Sequence, residues 1–328
     1  MRLALCALLA VSAFGQAWVP QTSGTTSGFR GLSVIDANIA WASGTGGVFV
    51  RTVDGGKTWK AGVVPGAEKL DFRGVVASSA TSARLMSSGD GEASRLFETT
   101  DGGATWKQIR VNREPKGFFD ALTAAMVLGD PFDGAFALYT LDPWARIPLP
   151  PALPGEGAFA ASNSSLAAIG PHLWFGTGGP GAARVFRSTD RGKTWAVSKT
   201  PLRNDSAGAG IFSLFFADQK TGIAVGGDYA KPKEDAHNVA LTHDGGVTWT
   251  EPSGSRPRGY RSAVVYLPAR KLWIATGPSG SEYSRDGGRT WIAFDDAPFN
   301  TLGVAKDGAC WAAGPQGRIA KFSIAKAP

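Results

Sequence analysis

The chain has 328 residues, with 34 lysines and arginines against 27 aspartates and glutamates and a formal net charge of +7. That balance is modest and contains no Lys/Arg-rich block, so nucleic acid is not an expected partner. Forty-four glycines and 20 prolines suit many short strands joined by tight turns, and a pair of cysteines, Cys6 and Cys310, excludes a disulfide framework.

Residues 1–17 read as a signal peptide: a basic start at Arg2, an apolar core from Leu3 to Val11, and small residues ending Gly15-Gln16-Ala17. The core is too short to span a bilayer, and no later run approaches the roughly 20 apolar residues a membrane helix needs. Export therefore implies a secreted or periplasmic protein without an integral membrane segment. Cys6 lies inside the leader, which leaves Cys310 alone in the mature chain and its stability to the hydrophobic core.

Residues 18–328 are organised by an eight-residue phrase that recurs five times, as in Thr52-Val53-Asp54-Gly55-Gly56-Lys57-Thr58-Trp59. The other copies run 99–106, 188–195, 242–249 and 284–291, and their aspartates are Asp101, Asp190, Asp244 and Asp286. A recurrence at roughly 40 to 50 residues is that of propeller blades. Each Asp carboxylate can accept backbone N–H bonds within its own turn, Gly supplies a positive φ, and the Trp covers the hairpin. Apolar residues such as Val48-Phe49-Val50 precede each copy, so the phrase is expected on the turn leaving a strand.

A second register, short apolar strands ending in glycine, counts the blades that lack the phrase. These glycines are Gly44, Gly89, Gly129, Gly176, Gly226, Gly277 and Gly314, which predicts seven blades. Blade 3, around Phe119 to Pro148, carries a decayed phrase at Thr140-Leu141-Asp142-Pro143-Trp144, and blade 7, from Phe299 to Phe322, has only three strands of its own. Trp18-Val19-Pro20-Gln21 can supply the fourth, closing the ring and removing the open sheet edge. The expected fold is all-β: a single seven-bladed β-propeller, expected to be a monomer.

Candidate site residues come from the innermost strands, where an aromatic residue precedes a repeating position: Phe29-Arg30, Phe72-Arg73, Phe119-Asp120, Phe212-Ser213, Tyr260-Arg261 and Phe299-Asn300. Blade 4 aligns less cleanly, near Glu156. Equivalent positions in a ring converge on one mouth, so Arg30, Arg73, Arg261, Asp120, Glu156 and Asn300 are the expected ligand-binding residues. Three arginines there suit a carboxylate or phosphate. The alternative is a self-paired rim, with the arginines matched to Asp120 and Glu156. The histidines show no ligand spacing and the acidic loops at 130–133 and 228–235 resemble ordinary surface turns, so neither metal nor cofactor is expected.

The phrase resembles the Asp-box, or BNR repeat, of sialidases and many non-enzymatic propellers, in which the box joins the third and fourth strands of a blade. Sialidase chemistry would need an arginine triad, a Tyr nucleophile with a Glu partner and an acid; Arg30, Arg73 and Arg261 with Tyr260, Glu156 and Asp120 are the candidates. The Arg-Ile-Pro motif matches only at Arg146-Ile147-Pro148, in blade 3. The combination of Phe-Arg-Gly, glycine-ended Trp strands and Asp-Gly-Gly-x-Thr-Trp also resembles the photosystem II stability and assembly factor family. Segments such as Leu128-Gly129-Asp130-Pro131 and Val225-Gly226-Gly227-Asp228-Tyr229 resemble its non-photosynthetic bacterial branch, often labelled oxidoreductase. That resemblance implies a non-catalytic module that binds a protein or peptide through an arginine patch. A glycan ligand, a sialidase-like hydrolase and a purely structural propeller remain alternatives.

Overall fold

A computed structural model describes residues 15–325. Seven antiparallel sheets follow one another along the chain. In blade 1 the strands Phe29–Val34, Ala40–Gly44, Val48–Thr52 and Lys60–Val63 pair in sequence order. Blades 2, 3, 4 and 6 repeat the four-strand meander, while blade 5 has three strands and a Leu241–Thr250 bridge in the outer position. The first strands adjoin around the ring: that of blade 1 touches Phe72–Ala77 of blade 2 and Thr301–Val304 of blade 7. The chain is thus a seven-bladed β-propeller, as the two sequence registers imply.

Closure is made by the strand Gly15–Thr22, which pairs antiparallel with Arg318–Ala325 to complete blade 7. Trp18 and Phe322 lie opposite each other in that ladder, with ring centroids 5.4 Å apart, and the Trp18 indole donates to Ser281 Oγ of blade 6 at 3.0 Å. Of the expected leader, residues 1–14 lie outside the described residues, and Gly15, Gln16 and Ala17 belong to this closing strand. No helix among the described residues is long and apolar enough to cross a membrane.

Each core sits between neighbouring blades. Second-strand tryptophans fill these seams: Trp41 and Trp174 are fully buried, and their indole N–H groups reach across to Ser79 O and Gly245 O of the next blade, at 3.1 and 2.8 Å. A buried Trp needs such a partner for its one donor. The strand-ending glycines are steric necessities, since a Cβ on Gly314 would lie 2.8 Å from Pro298 O.

The five phrases follow third strands, four of them leading into a fourth strand and that of blade 5 into the Leu241–Thr250 bridge, and they share one hydrogen-bond pattern. In blade 1, Thr52 Oγ1 donates to Asp54 Oδ1 at 2.9 Å and accepts Gly56 N–H, while Thr58 donates its N–H to Oδ1 and its hydroxyl to Oδ2 at 3.0 and 2.6 Å. Gly55 and Gly56 have φ of 77° and 84°, which Gly alone adopts cheaply. The threonine hydroxyls hold Asp54, Asp101 and Asp190 at a pKa of about 2, below the ordinary carboxylate range. At Asp244 and Asp286 burial pushes upward, but Thr248 and Thr290 outweigh it and the result is again about 2.

These groups have folded-state pKa values below the unfolded value of about 3.9. Their stabilisation is therefore complete above about pH 4 and is lost as pH falls from about 4 to about 2. A melting-temperature series across that window should fall steeply for the wild type and less so for a variant with all five aspartates changed to Asn. Parallel curves for the two proteins would contradict this role.

Candidate functional site

In four blades the innermost strand does not pair regularly with the second strand. In blade 1 the register jumps between Phe29, opposite Gly44, and Gly31, opposite Ser43, leaving Arg30 as the unpaired extra residue of a β-bulge. The same shift leaves Arg73 unpaired in blade 2, Asp120 in blade 3 and Phe212 in blade 5. A bulge re-aims its side chain out of the alternation, and here the bulged residues turn to one mouth of the ring. Asn300 of blade 7 and Ser262 of blade 6 occupy corresponding places, and all six residues line a single cavity of about 440 Å³.

The floor of that cavity is the segment before the short inner strand Leu166–Ile169 of blade 4. Ala158 to Ala161 face the cavity, and the following residues bond across the ring. Asn163 receives Leu122 N–H on Oδ1 and donates Nδ2–H to Leu122 O, at 2.7 and 3.0 Å. Ser162 donates to Ser262 O and accepts from Thr301 Oγ1, and Ser164 donates to Ser213 Oγ. Blades 3, 5, 6 and 7 are thereby tied to one plug.

The walls combine charge and aromatic surface. Arg30 has no hydrogen bond among the described residues, and its pKa is lowered by burial and then by neighbouring Arg73. Arg73 bonds Asp71 through Nε at 2.7 Å, and its guanidinium lies over the Phe118 ring. Asp120 is 1% exposed and its Oδ2 has no partner; burial, then the nearby Asp130, push its pKa well above the ordinary range. Asp130 accepts Ala158 N–H at 2.8 Å, and burial raises its pKa to about 6. Phe159 stacks on Phe212 at 3.8 Å, Tyr260 packs edge-on to Phe212, and Tyr229 is exposed.

Two expected mouth residues are elsewhere. Arg261 is wholly buried, with Nε and Nη2 each 2.6 Å from a Glu282 carboxylate oxygen, so it is an internal ion pair. The reason is register: Arg261 N–H donates to Gly226 O just as Phe29 N–H donates to Gly314 O, which makes Arg261 the counterpart of Phe29 and Ser262 the counterpart of Arg30. A slip of one residue reverses a strand's faces. The same slip put Ser213 where Phe212 belongs. Glu156 is also buried, accepting Thr177 Oγ1 and Leu153 N–H and paired with Arg184, so it anchors its own loop and does not line the mouth.

The self-paired alternative fails in its partners, because Arg73 pairs with Asp71 and Glu156 with Arg184. The residues weighed for hydrolysis do not assemble either: Tyr260 and Asp120 share the cavity, while Arg261 and Glu156 are committed elsewhere. Among the described residues no three His, Cys, Asp or Glu side chains converge as metal ligands. Phe212, Ser262, Asp130 and Phe159 were missed. The signal for the first two was the residue after each mouth position, in Arg30-Gly31, Arg73-Gly74, Asp120-Ala121, Phe212-Ser213, Ser262-Ala263 and Asn300-Thr301, a better register mark than the aromatic residue before it.

No family model matches the chain, and no curated protein does. Among solved structures it is similar to one described as YCF48 bound to D1 peptide, with TM-score 0.63 and 17% identity over 94% of this chain and 99% of that one. YCF48 from Cyanidioschyzon merolae gives 0.58 and 16% over 94% and 98%. The WD40 β-propeller domain of Doa1 gives 0.64 and 10% over 96% and 98%. These likenesses support the β-propeller fold.

Because removing one member of a buried ion pair strands the other charge, Arg261→Ala should destabilise the protein by about 3–5 kcal/mol. Arg30→Ala should leave stability within about 0.5 kcal/mol. Denaturant titration of the two variants checks both, and the reverse ranking would overturn the assignment of these arginines.

Proposed function

We propose that this protein is a peptide-binding β-propeller that takes a carboxylate-bearing segment of a partner protein at the Arg30/Arg73 mouth. One observation carries the reading: Arg30 is a half-buried guanidinium lining the cavity, with no hydrogen bond to the described chain and with a like charge nearby. A bidentate carboxylate would supply the bonds this guanidinium lacks and offset the repulsion from Arg73. A cavity of about 440 Å³ falls in the usual range for ligand sites. Tyr229, Tyr260 and Phe118 add apolar contact beside the charge. A propeller of the same fold, YCF48, is described as bound to a peptide, which agrees with this use of the fold. An amino-terminal leader ending ahead of the closing strand that begins at Gly15 would place the binding event outside the cytoplasm, in the periplasm or beyond.

Panning a random peptide display library at neutral pH tests the reading. The wild type should enrich Asp- and Glu-bearing sequences, and the Arg30→Ala/Arg73→Ala double variant should lose that enrichment by about tenfold or more. Enrichment that survives in the double variant, or a wild type that enriches no acidic sequences, would overturn it.

A further inference from the structure

The arginines occupy only one side of the mouth; blade 3 contributes two carboxyl groups, Asp120 and Asp130, to the same cavity. Asp120 has almost no solvent exposure, yet its Oδ2 meets no donor. An unsatisfied buried oxygen is expensive and uncommon in folded proteins. Arg73 is near enough to influence it but forms no hydrogen bond with it, its Nε being held by Asp71. Asp130 uses Oδ1 for the Ala158 N–H, which leaves Oδ2 for a ligand. Phe118 and Phe159 flank this acidic side, offering ring faces and cover for an aliphatic stem.

We propose that the mouth reads a dipolar peptide segment, in which Arg30 and Arg73 hold a carboxylate while Asp120 and Asp130 hold the ammonium or guanidinium of a lysine or arginine side chain. This rests on the peptide-binding reading and adds the second half of the recognised chemistry. A single cation between two carboxyl groups satisfies both and removes their mutual repulsion. A proton donated from Asp120 to the ligand would satisfy one and leave Asp130 idle. The charged groups facing this pair are Arg73 across the cavity, Asp90 beside Asp130, and Lys116 in the adjoining groove.

The probes are N-acetyl-lysyl-glutamyl amide and its norleucyl counterpart, which differ only by the ammonium group, titrated calorimetrically into the mature protein. At pH 7.5 the lysyl peptide should bind about tenfold more tightly. Asp120→Asn should bring the two affinities within about twofold; Asp130→Asn supplies the same comparison should Asp120→Asn fold poorly. Equal wild-type affinities would overturn the dipolar inference and leave the arginine site standing. Tighter norleucyl binding would also overturn it, pointing to Asp120 as a donor to the acid. Failure of both peptides to bind would take down the inference together with the site.

Discussion

The side-chain amide of Asn163, bonded to both backbone groups of Leu122, is the interaction on which the mouth depends. It stands in for a strand pairing between blades 3 and 4 and holds the plug at the ring axis. Asn163 has φ of 60°, a left-handed conformation that Asn tolerates better than most side chains. The approach is close enough that a Cβ on Gly74 would lie 2.7 Å from Asn163 Oδ1, which explains why blade 2 follows Arg73 with glycine. Once Asn163 is fixed, Ser162 and Ser164 find Ser262, Thr301 and Ser213, and the residues just before them become the cavity floor.

The walls follow from the same crowding. Seven inner strands converge on one axis, so small residues face inward, and a bulge just before the small residue turns Arg30, Arg73, Asp120 and Phe212 toward the mouth. The polar groups placed there divide by chain order: blades 1 and 2 bring cations, blade 3 brings acids, and blades 5 and 6 bring Phe212 and Tyr260. Unlike the rim phrases, whose aspartates are saturated with bonds inside their own turns, the mouth leaves Arg30 and Asp120 without partners. That contrast separates groups that hold the fold from groups with bonding capacity to spare.

The blade number and the closing strand were legible because their signals are local and repeated. The phrase keeps its donors and acceptors within seven residues, and the strand-ending glycines are imposed by close approach of neighbouring atoms, backbone in five blades and side chain at Gly89 and Gly176. The mouth was legible only in part. Arg30, Arg73, Asp120 and Asn300 were found, but Tyr260-Arg261 imitates the Phe29-Arg30 pair one residue out of step, and periodicity cannot see a bulge. Glu156 pairs with Arg184 in its own blade, and the plug bonds Ser162 to Thr301, 139 residues away. No local pattern encodes such contacts.

The central claim is that the Arg30 guanidinium meets a ligand carboxylate at this mouth, and the most direct measurement is nuclear magnetic resonance of the arginine Nε–H signals during titration with a glutamate-bearing peptide. The account expects the Arg30 signal to shift and sharpen together with the backbone signals of Ala158 to Ala161, while Arg261 stays unmoved. Shifts confined to the rim phrases, or an Arg30 signal indifferent to a peptide that binds, would contradict it.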